Sequence, residues 1–173
     1  MSKFSSVGSG VGREGAAVSS MDRFLSNALN SVDAKGRVSV PAGFRQVLTA
    51  RGFKELYALQ AIGHPAIDVG GLDLLERYEA RMGAEDPFGE TFADMSLFAY
   101  GDGAFLKFDA EGRITVTDFI RSHTGITDKV VFVGRNDFFQ LWEPEQFEAH
   151  RAEARARLLQ MRARGRAGTG APE

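Results

Sequence analysis

Two stretches of the chain set charged side chains at the same spacing: "DAKGRVSVPAGFR", residues 33–45, and "DAEGRITVTDFIR", residues 109–121. Six of the thirteen positions are identical: Asp33/Asp109, Ala34/Ala110, Gly36/Gly112, Arg37/Arg113, Val40/Val116 and Arg45/Arg121. A repeat of this kind is the first thing to read, because it says that one unit has been used twice. The groups it offers are a carboxylate that only accepts hydrogen bonds, an arginine fork and, in the first copy, Lys35. They suit recognition of charge more than the making of bonds. The rest of the sequence agrees: it has no cysteine, no phosphate-cradling glycine loop, no serine elbow and no His–acid pairing, so no enzyme is expected. His64, His123 and His150 lack ligand spacing and read as structural or surface residues, with neither a metal nor a cofactor expected.

The elements that must hold these groups can be read from the same stretches. Asp33 suits the first position of a type I turn, and Gly36 follows where a positive φ costs nothing. Arg37 and Ser39 then alternate with Val38 and Val40, the period of a strand with one wet and one buried face. The pattern predicts a β-hairpin. Pro41 is placed for the first turn of a helix whose Phe44, Val47 and Leu48 form an apolar stripe. In the second copy Asp109 and Gly112 make the turn, Ile114 and Val116 alternate with Arg113 and Thr115, and Thr117 can cap a short helix ended by Gly125. Each unit is followed by a more apolar strand pair, 54–60 with 65–70 and 129–134 with 138–143. The aromatic run "VVFVGRNDFFQLWE" reads as core and protomer interface. Leu72, Leu75 and Tyr78 share one helical face, as do Phe92, Met95, Leu97 and Phe98, and residues 143–165 read as a long closing helix.

With 173 residues, 43% hydrophobic and 25% charged, the chain is an ordinary globular sequence with no apolar run long enough for a membrane helix. Residues 1–20, half Gly and Ser, are expected to be a flexible extension, with Met21 a candidate natural start. Residues 21–85 and 86–152 are the two repeats, each small enough that they should pack on each other as a pseudo-dimer in one α+β unit. Residues 153–173 are an arginine-rich helix end and tail, expected to be solvated and to fray after Gly165. The net charge of −2 hides a strong asymmetry. Residues 21–52 carry five cations against two acids, residues 68–102 nine acids against two arginines, and residues 151–166 six arginines against Glu153. One face can meet a polyanion while another stays acidic. The acidic run itself reads as a solvated helical face.

The stretches "FLSNALNSVDAKGRVSVPAGFR", "DAEGRITVTDFIR" and "VVFVGRNDFFQLWEPEQFE" together resemble the MraZ family of bacterial regulators, over about Phe24 to Ala152. The resemblance implies a tandem-duplicated AbrB-like fold, in which swapped double hairpins build a small β-barrel with flanking helices in a pseudo-dimeric chain. It also implies assembly into a ring, commonly octameric, binding of short G-rich direct repeats in the family's own promoter region, and control of the division and cell-wall gene cluster. Such a protein would be cytoplasmic and nucleoid-associated, with double-stranded DNA and itself as partners and no membrane or small-molecule substrate.

Under that resemblance the residues take definite roles. Arg37, beside a narrow turn, can give paired hydrogen bonds to guanine O6 and N7. Lys35 and Arg45 would hold phosphates, and Ser39 shares the exposed face. Asp33 and Gly36, with Asp109 and Gly112, would be structural turn residues. Arg113 is expected to be secondary, since Glu111 stands where Lys35 stands in the first copy. The alternative from a different class is a protein-interaction module, an antitoxin-like partner or ring scaffold.

Overall fold

The computed structural model describes residues 22–168, so the expected flexible extension and the last five residues lie outside the described part. In chain order, β1 (Asn27–Ser31) and β2 (Arg37–Ser39) flank the first turn, followed by α1 (Ala42–Ala50), β3 (Glu55–Gln60), β4 (Ala66–Gly70) and α2 (Asp73–Met82). Then α3 (Glu90–Ser96) runs into a π-helical turn, Leu97–Gly101. β5 (Ala104–Lys107) and β6 (Arg113–Thr115) flank the second turn, before α4 (Asp118–Thr124), β7 (Lys129–Gly134), β8 (Phe139–Trp142) and α5 (Pro144–Gly168). The fold is α+β. No helix among the described residues is long and apolar enough to cross a membrane.

The strands form a six-stranded antiparallel sheet, ordered β1-β7-β8-β4-β3-β5, and a separate ribbon of β2 with β6. The large sheet ends at the free edges of β1 and β5, so the described residues do not close the expected barrel. The expected local hairpin is confined to the turn and the residues beside it. Beyond the turn, the two arms share the antiparallel bridge Val32 to Val38 and a bond from Asn30 Nδ2 to Ser39 O at 2.7 Å, while the β1 ladder runs to β7 and the β2 ladder to β6. The reason is burial. β2 turns Val38 inward, and β6 offers Ile114 directly opposite, each 1% exposed, whereas β1 leaves Asn27, Leu29 and Ser31 in water. Strands from the two halves are thereby interleaved, β1 on β7, β2 on β6, β3 on β5 and β4 on β8.

The core follows from this exchange. Phe24 and Phe44 from the first half meet Phe139 from the second at ring distances of 5.1 and 5.3 Å, and each other at 5.5 Å. Edge and tilted contacts of this kind add roughly 0.5–1.5 kcal/mol each beyond the area they bury. On α1 the buried residues are Phe44, Val47 and Leu48, the stripe read from the sequence. Pro41 sits one position earlier than expected, as the N-cap with extended ψ of 142°, and its carbonyl accepts from the Phe44 and Arg45 N–H groups. Thr117 is the N-cap of α4, but its hydroxyl makes no capping bond and is buried without a partner. Gly125 ends α4 with a φ of 74°, as read. On α2 the buried residues are Leu74 and Met82, and Leu75 and Tyr78 of the expected face pack partly buried against the core; Leu72 alone of that face is exposed. The long closing helix continues past Gly165 to Gly168.

Candidate nucleic-acid interface

Each turn is built by its aspartate. Asp33 N–H donates to Arg37 O at 2.7 Å and Gly36 N–H to Asp33 O at 2.9 Å, while Asp33 Oδ1 accepts from the Lys35 and Arg37 N–H groups, both at 2.9 Å. Asp109 repeats all four bonds with Gly112, Glu111 and Arg113. Gly36 and Gly112 take φ of 78° and 75°, left-handed values that a side chain would strain. A carboxylate accepting several N–H groups resists protonation. The Asp33 carboxyl is accordingly held below the usual carboxylate range, first by the Arg37 N–H and then by the Arg37 side chain, and that of Asp109 first by the Arg113 N–H.

The same aspartates hold the arginines. Arg37 gives Nε and Nη2 to Asp33 Oδ2, both at 2.9 Å. One edge of its guanidinium is thus fixed, and the far edge, Nη1 with the second Nη2 hydrogen, is left to donate outward. Arg113 is bound more closely. Its Nε donates to Asp109 Oδ2 at 2.6 Å, Nη2 pairs with Glu111, and Nη1 lies 3.9 Å from Asp33 Oδ2. The hydrogen bond to Asp109 is the main cause holding its guanidinium protonated beyond the ordinary arginine value.

Ribbon pairing sets the two turns side by side. The register is Arg37 to Thr115, Val38 to Ile114 and Ser39 to Arg113, extended by Val40 N–H to Gly112 O at 3.0 Å and Val116 N–H to Gly36 O at 2.8 Å. Arg37, Ser39, Arg113 and Thr115 therefore share the outer face, because alternate residues of a strand point the same way. Asp33, Ala34 and Lys35 are exposed at the first tip and Ala110 and Glu111 at the second. Neither tip is packed inside the described molecule.

Arg45 differs from its sequence reading in position. It lies against the second turn, not its own, with Nη1 donating to Glu111 O at 3.3 Å. Its partner in the repeat, Arg121, leans the other way: a Cβ on Gly36 would meet Arg121 Nη2 at 3.7 Å. Arg121 is anchored by Val116 O at 3.2 Å, Ile126 O at 3.0 Å and Thr127 O at 2.9 Å. The candidate set read from the sequence omits Arg121 and Thr115, although the Arg45/Arg121 identity marked the first of them. Among the described residues no group of three or more His, Asp or Glu side chains converges to hold a metal ion.

This chain is similar to known proteins along most of its length. A family profile described as "MraZ protein, putative antitoxin-like" matches residues 100–166. The protein named Transcriptional regulator MraZ in Rhizobium rhizogenes strain K84 is 61% identical over 78% of this chain and 92% of its own length. Its counterpart of the same name in Rhizobium meliloti strain 1021 is 56% identical over 78% and 92%, and that in Azorhizobium caulinodans 41% identical over 82% and 90%. At this identity and coverage, the chain belongs to the MraZ family.

Proposed function

We propose that the chain is a DNA-binding transcriptional regulator that reads short G-rich direct repeats in its own promoter region, at the division and cell-wall gene cluster, and acts in the cytoplasm at the nucleoid. The observation that carries the reading is the paired display of Arg37 and Arg113 on one exposed ribbon face, with one edge of Arg37 fixed by Asp33 and the other left free. An arginine so braced meets guanine O6 and N7 end-on with little rotamer freedom left to lose. Lys35 at the exposed first tip and Arg45 beside the second turn hold phosphates, Ser39 lines the same face, and Arg113, occupied by three carboxylates, is secondary. In this reading the two turns are the AbrB-like double hairpins of the family.

Across the two turns Lys35, Arg37 and Arg113 are balanced by Asp33, Asp109 and Glu111, so one chain attracts phosphates weakly. Copies in a ring, commonly an octamer, present the same turn pair to successive repeats, and each contact after the first becomes intramolecular. The charge balance is also what favours the second reading, a protein-interaction module of the antitoxin-like kind. Ionic strength separates the two. In a shift assay on the upstream DNA, a phosphate binder weakens steeply between about 50 and 200 mM salt, whereas a flat response removes the DNA reading.

A further inference from the structure

Several of the charges segregated along the sequence have no partner in the fold. In the acidic stretch, the side chains of Glu76 on α2, Glu85 on the linker, Glu90 and Asp94 on α3, and Asp102 make no hydrogen bond or ion pair within the described chain. On α5 the side chains of Arg155, Arg162 and Arg164 are in the same state. Both surfaces also expose apolar groups. Phe88 is 98% and Leu97 61% exposed on the acidic side, and Leu158, Leu159 and Met161 are 64–68% exposed on α5.

Only the start of α5 is anchored. Phe147 is buried with its ring 6.1 Å from that of Trp142, His150 stacks on Trp142 at 4.7 Å, and Arg151 lies over Phe147. From Arg155 onward every described side chain is exposed. A helix end of that length is marginal in water without packing, and here it also leaves Leu158, Leu159 and Met161 uncovered.

We infer that the outer part of α5 docks on the acidic surface of α2 and α3 of a second copy of this chain. Arginines meet unpaired carboxylates there, and Leu158, Leu159 and Met161 meet Phe88 and Leu97. A DNA backbone would satisfy the arginines but offers nothing to those three apolar side chains. Donor and acceptor surfaces differ, so the contact is head-to-tail, the kind that closes into a ring when the rotation allows. The inference rests on the self-assembly in the reading above and supplies its contact.

The test uses the full chain, by light scattering at low salt without DNA and, beside it, a shift assay on the upstream DNA. One variant carries Arg155→Glu, Arg162→Glu and Arg164→Glu, the other Glu76→Lys, Glu90→Lys and Asp94→Lys, and circular dichroism checks that each is folded. Each alone should lose the species above the 18.8 kDa single chain, and an equal mixture should regain them, since every contact is again between opposite charges. A tail variant that keeps the wild-type mass, or a mixture that stays small, overturns the inference. If the tail variant stays assembled and loses DNA instead, the arginines serve phosphates. A wild type that is itself a single chain removes both this contact and the ring, whereas an assembled ring that ignores DNA leaves the contact standing and removes only the DNA reading.

Discussion

Asp33 and Asp109 are the residues on which both turns depend. Each makes the turn through its Oδ1 and aims an arginine through its Oδ2, so turn geometry and arginine placement are one structure. The linkage to pH has a definite sign. Both folded carboxyls titrate below their ordinary value, so their contribution is complete above about pH 4, the unfolded range, and is lost as pH falls through the lower folded value. Amide NMR should show the Lys35 and Arg37 N–H signals unchanged from neutral pH down to that range and shifting below it. In Asp33→Asn the first turn should lose this step while the second keeps it; a step at neutral pH would contradict the assignment.

The elements show which parts of this were legible in sequence. The alternation of Val38 and Val40 with Arg37 and Ser39 was readable, because a strand has only two faces and the structure buries the valines. Which strand pairs with which was not. The ribbon joins β2 to β6 from the other half, and nothing near Val38 marks Ile114 as its partner. The face of α2 was read in part: Leu75 and Tyr78 do pack on the core, but Leu72, Leu74 and Met82 are apolar too, and what selects Leu74 over Leu72 is its packing with Tyr57, Leu59 and Phe138. The ribbon makes a stability prediction. Ile114→Ala empties a site 1% exposed beneath both turns and should cost about 2–5 kcal/mol in a denaturant melt. Because the two turns share this floor, signals from both should broaden; disturbance of the second turn alone would mean that they are independent.

For the whole molecule, interleaving explains why the repeat had to be read as a pair. Four strand pairs join the two halves, Phe24 and Phe44 close on Phe139 across them, and Arg51 ties the segment before β1 to the β7–β8 turn through Asp22 O and, at 2.7 Å, Asp137 O. Arg51 was invisible as a structural residue in sequence, since two of its acceptors are backbone carbonyls and the third, Asp73 Oδ2 at 3.3 Å, lies 22 residues away. The result is one face carrying both turns, whose differences, Lys35 against Glu111 above all, make the two arginines unequal. The most direct measurement is therefore discrimination: the affinity ratio between a duplex of the upstream G-rich repeats and a scrambled duplex of equal length, for wild type, Arg37→Ala and Arg113→Ala. The account predicts that Arg37→Ala loses about 1–3 kcal/mol per engaged turn and most of the ratio, and that Arg113→Ala loses less. An unchanged ratio in Arg37→Ala, or an equal loss in Arg113→Ala, would contradict it.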